Sequence, residues 1–265
     1  MSYIPSEWSD GNEVTSAKLN NLESGVIAVG YEPTTWKAGD VVTAEKLNHL
    51  EQGVADSDQL MSLMNGTVTE FTITEEMKRE NNFNGYKYLG IGFSYPLSFS
   101  DCKDLETING LSLVDIVKGY AFTGCVKLKN LCIPNAVTVG DGYYSLGVFG
   151  GSGVETISLD SATAIYDGVF SGASNLEYVY LPKAVTIGSS IQGCSKLKHV
   201  YIGADCTSIN SGCFGGSGGQ STGLIIDCGF AEGAVSGAPW GATNATINYN
   251  VPAPGSIEAM IEGES

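Results

Sequence analysis

An apolar motif that recurs along most of the chain constrains its fold more than any other feature. Each copy has a large apolar residue, a turn of small residues, a strand patterned Leu-x-x-Leu-x-Ile and a second apolar point. The large apolar residues are Phe99, Phe122, Phe149, Phe170, Ile191 and Phe214, at intervals of 21 to 27 residues. One copy alone has no partner for its apolar face, so successive copies must stack as the turns of a solenoid around a continuous core.

The spacing of these copies is typical of leucine-rich repeats. We therefore predict a leucine-rich-repeat solenoid over residues 95–251, mostly β, with short strands and an irregular convex side. Residues 65–94 are predicted to be a connector and N-terminal cap, and residues 252–265 a C-terminal tail. Trp240 is predicted to cap the end of the solenoid, before a last strand at 245–250.

The first 64 residues hold a different repeat, a tandem duplication at an offset of 28 residues. Trp8 recurs as Trp36, and each copy continues into a short segment with helical periodicity. A threonine, Thr15 or Thr43, is placed to cap the N-terminus of each helix. We therefore predict short α-helical tandem repeats over residues 1–64, ahead of the solenoid.

The apolar residues of these helices follow the a/d spacing of a coiled coil. The candidate oligomerisation residues are Leu19, Leu22, Val26, Leu47, Leu50, Val54, Met61 and Met64. Because a helix of about ten residues is marginal on its own, this seam requires a partner. The partner is either another copy of the chain, which gives a homo-oligomer, or the other helix of the same chain, which gives a helical hairpin.

The repeat motif resembles a known family. The run Ala-Phe-x-Gly-Cys-x-x-Leu-x-x-Leu-x-Ile-Pro, Ala121–Pro134, resembles the BspA-type leucine-rich repeat, and the resemblance extends over roughly residues 95–250. That family implies extracellular recognition and adhesion, with no catalysis of its own.

The second N-terminal copy carries another resemblance. Residues Trp36–Val54, which read Trp-x-x-Gly-Asp-Val-Val-Thr-Ala-Glu-Lys-Leu-Asn-His-Leu-Glu-x-Gly-Val, are similar to a segment near the start of tail-fibre and baseplate proteins of phages of Gram-positive bacteria. The resemblance implies attachment to other tail or baseplate proteins, and it favours a trimer because phage fibres are often trimeric. It would also explain a recognition protein without a secretory signal at Met1–Glu7, since virion proteins leave the cell by lysis.

Stacked strands place equivalent residues in columns on the outer surface of the sheet. Two neighbouring columns bring together aromatic and polar side chains, a combination that suits recognition of a sugar or a protein. The candidate ligand-binding residues are Tyr178, Tyr180, His199, Tyr201, Asn130 and Thr156. The alternative is ordinary cross-strand packing.

A third column carries charge. It consists of Lys129, Glu155, Glu177 and Lys198. The adjacent carboxylates are a conceivable glycosidase pair, but the flanking lysines favour a surface charge ladder, which contributes little energy. We therefore expect no catalytic residues and no enzymatic activity.

The composition argues against other classes of site and partner. The chain has 13 basic and 29 acidic residues and a net charge of −16, which opposes nucleic-acid binding. No apolar run is long enough for membrane insertion. The seven cysteines lack the spacing of metal ligands, so no metal or cofactor is expected. Cys102 and Cys125 share their position with Ser152 and Ala173, which favours small buried fillers, although an oxidised Cys102–Cys125 pair remains open.

The leading hypothesis from the sequence is a phage tail or baseplate protein, made in the bacterial cytoplasm and mounted on the virion. Its solenoid would recognise a glycan or protein of the host surface. The alternative is a leucine-rich-repeat adhesin of the bacterial cell surface. A third hypothesis is a polysaccharide-degrading tail enzyme, for which Glu155 and Glu177 are the candidate carboxylates.

Overall fold

The structure, a computed structural model, describes residues 67–73, 88–89, 98–140, 147–215 and 223–263. The predicted helical repeats of residues 1–64, and with them the candidate oligomerisation residues Leu19 to Met64, lie outside the described residues. Within the described ranges, no helix is both long and apolar enough to cross a membrane.

The described chain winds into a solenoid in which each turn supplies strands to parallel sheets. We call the sheet with the longer strands the outer sheet. It contains β5 (Asn130–Cys132), β7 (Thr156–Ser158), β9 (Tyr178–Leu181), β11 (His199–Ile202), β13 (Ile225–Cys228) and β14 (Thr246–Tyr249). The short-strand sheet contains β2 (Tyr88–Leu89), β4 (Ile116–Val117), β6 (Thr138–Val139), β8 (Ala164–Ile165), β10 (Thr186–Ile187) and β12 (Ser208–Ile209). The predicted leucine-rich-repeat fold, mostly β, is confirmed. The side expected to be irregular carries the two-residue strands of the short-strand sheet.

Inward-facing residues from both sheets form the core, because equivalent leucine-pattern positions pair across neighbouring strands. In the outer sheet, Leu131 pairs with Ile157, and Val179 pairs with both Ile157 and Val200. These side chains are buried, as are Val139, Ile165, Ile187 and Ile209 of the short-strand sheet. The spacing of the motif therefore sets both the register and the core.

Phenylalanine rings stack along one corner of the solenoid. The ring centroids lie 5.7 Å apart for Phe99 and Phe122, and 5.4 Å apart for Phe122 and Phe149 and for Phe149 and Phe170. The rings are nearly parallel and fully buried. Their separation follows that of paired strands, about 4.8 Å, so a stack of rings fits a stack of turns.

The N-terminal end of the described core begins before residue 95. Strand β1 (Glu70–Thr72) pairs in parallel with β3 (Thr107–Asn109), and β2 pairs with β4. Phe71 packs edge-on against Phe99, with ring centroids 5.2 Å apart. Part of the segment predicted as a connector and cap therefore contributes strands to the stacked sheets.

Trp240 lies at the other end of the core, where the sequence predicted a cap. It is fully buried, its carbonyl accepts a hydrogen bond from the backbone N–H of Phe214 at 3.0 Å, and its indole N–H donates to the Ser236 carbonyl at 2.9 Å. The earlier turns make the same backbone bond, for example from Phe99 to Ala121. Trp240 thus continues the repeat pattern into the last turn.

The predicted C-terminal tail folds back onto the outer sheet. Its helix α1 (Ile257–Glu262) begins after Ser256, whose side chain accepts a hydrogen bond from the backbone N–H of Ala259 at 3.2 Å. Ile257 and Met260 are buried on one side of this helix.

Candidate functional site

The outer surface of the outer sheet holds the candidate ligand-binding residues in the two columns predicted from the sequence. In one column, Asn130 pairs with Thr156, and Tyr178 pairs with both Thr156 and His199. In the other column, Cys132 pairs with Ser158, and Tyr180 pairs with both Ser158 and Tyr201. The predicted registers are therefore correct, but the structure separates the six residues into three environments.

The first environment is open to solvent, and we call Asn130, Thr156 and Tyr178 the open column. Asn130 is exposed, and Thr156 and Tyr178 are half-buried. The Thr156 hydroxyl donates a hydrogen bond to the Asn130 side-chain oxygen at 2.9 Å. The Lys198 ammonium group lies 5.7 Å from the centre of the Tyr178 ring, within cation–π range. Three neighbouring strands thus present an amide, a hydroxyl and an aromatic ring in a row.

His199 occupies the second environment, where it is part of a polar network. Its Nε2 atom lies 2.9 Å from Oδ2 of Asp227, and the two side chains are only 7% and 17% exposed. The other Asp227 oxygen accepts a hydrogen bond from the Asn248 side-chain amide at 2.8 Å. Sequence reasoning missed Asp227 and Asn248, although both lie in the column of Tyr201. Extending that column by two strands would have found them.

Tyr180 and Tyr201 form the third environment, and helix α1 covers them. Their rings stack with centroids 5.5 Å apart, and their exposed fractions are 3% and 2%. They pack in one cluster with Ile257 and Met260, and the Tyr201 hydroxyl donates to the Val251 carbonyl at 3.3 Å. Burial raises the pKa of both phenols. The tyrosine patch, predicted as one surface, is therefore partly open and partly covered.

The charged column forms ion pairs across neighbouring strands. The Lys129 ammonium group lies 2.7 Å from a Glu155 carboxylate oxygen, and that of Lys198 lies 2.6 Å from a Glu177 oxygen. This is the arrangement of the predicted charge ladder, in which each carboxylate faces a lysine.

The buried cysteines act as small core residues. The Cys125 thiol donates to the Phe99 carbonyl at 2.9 Å, and the Cys194 thiol donates to the Phe170 carbonyl at 3.2 Å. Burial raises the pKa of both thiols to about 12. The structure forms no disulfide between Cys102 and Cys125.

Cys132 differs from the other cysteines because it is exposed. Partial burial raises its pKa, and the Asp160 and Glu258 carboxylates raise it further. A thiol with a raised pKa is a weaker nucleophile at neutral pH. In the described part of the chain, no group of three or more His, Cys, Asp or Glu side chains is arranged to hold a metal ion.

Comparison with known proteins identifies the repeats. Residues 95–219 match the family described as BspA type leucine rich repeat region, in six copies. No curated protein gives a significant match. A solved structure, described as a leucine rich cell surface protein from Faecalibacterium prausnitzii A2-165, is 18% identical over 76% of this chain, with a TM-score of 0.30. The match spans 64% of the length of that structure. Residues 95–219 are therefore similar to the BspA-type leucine-rich repeat, and the stacked parallel strands of this region are those of a leucine-rich-repeat solenoid.

Proposed function

We propose that the protein recognises a glycan or a protein on a bacterial surface through the outer face of its outer sheet. The observation that carries this proposal is the open column of Asn130, Thr156 and Tyr178, which lies on the surface of a BspA-type repeat region. Such repeats imply extracellular recognition and adhesion.

The open column has the chemistry that surface recognition needs. A tyrosine ring offers an apolar face and a polar tip, and the Asn130 amide both donates and accepts hydrogen bonds. Adjacent strands space these groups about 4.8 Å apart, so an extended ligand would contact several turns at once. The hydrogen bond between Thr156 and Asn130 already holds both side chains, which lowers the entropic cost of binding.

A bacterial cell surface is the favoured location, because the BspA-type repeats cover most of the described solenoid. The second candidate is the tail of a phage virion, where the same surface would bind the host. The resemblance of Trp36–Val54 to phage tail-fibre and baseplate proteins favours that candidate.

The binding proposal is tested with the fluorescently labelled full chain and intact Gram-positive bacteria, by flow cytometry. We expect the triple variant Asn130→Ala, Thr156→Ala and Tyr178→Ala to bind about tenfold more weakly than the natural chain, a loss of about 1.4 kcal/mol. The matched control replaces Thr186 and Ser208, exposed residues of the short-strand sheet, with alanine. Equal binding by both variants would contradict recognition through the open column.

The two locations are separated by an antibody against the chain, used on cell-wall fractions of the producing bacterium and on purified virions. The adhesin proposal predicts labelling of the cell wall of uninfected, prophage-free cells. Labelling confined to virions would instead place the protein on the phage tail.

A further inference from the structure

The surface beneath helix α1 is shaped to receive a helix. We call Tyr180, Tyr201 and the half-buried Tyr178 the tyrosine seat. Ile257 and Met260 are buried against this seat, and Ile261 packs at its edge. These three residues have the i, i+3 and i+4 spacing that places side chains on one face of a helix. The seat thus accepts a short helix with aliphatic residues at these positions.

Helix α1 is lightly held in the seat. It has six residues, whereas an isolated helix shorter than about 12 residues is marginal in water. The connection to β14 contains Pro252, Pro254 and Gly255, and the first and last of these are exposed. Segments that bury few apolar residues open locally at low free energy. Residues 252–262 therefore form a strap that is suited to leave the seat while the solenoid stays folded.

Acidic side chains lie around the seat. Asp160 lies near Tyr180 and Asp227 lies near Tyr201, close enough to act electrostatically on each phenol. The strap adds Glu258, which together with Asp160 acts on the Cys132 thiol. The nearby Lys129 and Lys198 are already paired with Glu155 and Glu177. A helix with basic residues in place of Glu258 and Glu262 would thus complement the seat better than the strap does.

We propose that the tyrosine seat is a docking site for a short amphipathic helix of a partner protein, with aliphatic residues at i, i+3 and i+4 and basic residues beside them. The strap occupies the seat in the absence of that partner and must be displaced before the partner docks. Tyr178 belongs to both the open column and the seat. The inference nevertheless does not rest on the proposed function, because a surface ligand at the open column does not require the strap to move.

The test uses the full chain with the strap released by the double variant Ile257→Asp and Met260→Asp. Each substitution places a carboxylate where an aliphatic side chain is buried against the tyrosines. The control is Ala259→Asp, which adds one of these two charges at an exposed position of α1. Nitration of Tyr201, followed by mass spectrometry, measures whether the seat has opened without requiring any ligand.

The probe is a fluorescein-labelled peptide of residues 252–263 with Glu258→Lys and Glu262→Lys, measured by fluorescence anisotropy. If the seat is open in about a tenth of the natural molecules, the released variant binds the probe about tenfold more tightly than the natural chain or the Ala259→Asp control. We expect a further Tyr201→Ala change to abolish binding. We also expect the unmodified acidic peptide to bind more weakly, with the difference shrinking in about 1 M salt.

Each contrary result overturns a named part of the proposal. Protection of Tyr201 in the released variant would show that the strap is a fixed part of the fold. Nitration of Tyr201 without tighter peptide binding would show that the seat is not a docking site. Equal binding of the acidic and basic peptides would overturn the basic partner. Peptide binding that survives Tyr201→Ala would show that the peptide binds outside the seat. If the released variant binds a soluble cell-wall glycan and not the peptide, the seat is a sugar site.

Discussion

At the scale of single residues, the position three residues after each large apolar residue of the repeat (Phe122, Phe149, Phe170 and Ile191) shows how the repeat tolerates change. Cys125, Ser152, Ala173 and Cys194 occupy it in successive turns, and all are buried. These side chains are all small, because the position that they occupy lies inside the corner, between stacked turns. The exchange of cysteine with serine and alanine at this position of the sequence was enough to predict that the cysteines are small buried core residues. It could not predict the hydrogen bonds from the thiols to backbone carbonyls of the preceding turn.

The buried thiols make stability depend on alkaline pH. In the folded chain the pKa of Cys125 and that of Cys194 are raised from 9.0 to about 12. An unfolded chain releases these protons first as the pH rises, so the stabilisation is complete below about pH 9 and is lost towards pH 12. Thermal melts should show a loss of about 1 kcal/mol per thiol for each pH unit in this window.

Replacing both residues with alanine, as found at position 173, should lessen this alkaline slope. Cys206, Cys213 and Cys228, whose pKa values burial also raises to about 11 or 12, should maintain the rest of it. Cys132→Ala provides the comparison, since that thiol is exposed and less strongly shifted, and its loss should change the slope less. An equal slope in the natural chain and in the Cys125→Ala, Cys194→Ala variant would show that other groups cause the alkaline loss.

At the scale of elements, the columns were predictable and the strap was not. Parallel strands in register place equivalent repeat positions side by side, so motif spacing alone located Asn130 beside Thr156 and Tyr180 beside Tyr201. Helix α1 has only six residues and too few apolar positions to show a periodic pattern. The helix packs against Tyr180 and Tyr201, which lie more than 50 residues earlier in the chain, and this contact belongs to no repeat. The burial of the tyrosine seat therefore could not be read from the motif.

The phenylalanine stack is the element that should respond most to a single truncation. Phe149 is fully buried between Phe122 and Phe170, so Phe149→Ala leaves a cavity bordered by both neighbouring rings. We expect the free energy of unfolding to fall by about 3–5 kcal/mol in urea titrations. Val126→Ala, at a residue that is 50% exposed, should change it by less than about 0.5 kcal/mol. A loss at Phe149 as small as that at Val126 would mean that the turns do not depend on the stack.

At the scale of the whole molecule, we predict different physical roles for the solenoid and for the N-terminal repeats. A solenoid gains stability from contacts between neighbouring turns, and the described core already has aromatic side chains at its two ends, Phe71 and Trp240. The net charge of −16 makes copies of the chain repel one another. Any self-association must overcome that repulsion with buried apolar area, and the a/d seam of residues 1–64 is the segment whose pattern provides it.

The seam prediction is tested in the full chain by light scattering coupled to size-exclusion chromatography. Leu22→Glu and Leu50→Glu together place two carboxylates at equivalent seam positions of the two predicted helices. We expect them to convert an oligomer, a trimer in the favoured case, into a monomer. The control Asn21→Glu and His49→Glu adds the same side chains at the neighbouring equivalent positions, outside the seam. If the seam instead closes within one chain as a helical hairpin, the natural chain, the seam variant and the control will all have the monomer mass. In that case, a loss of helical circular dichroism in the seam variant alone would indicate that the two predicted helices of one chain pair with each other.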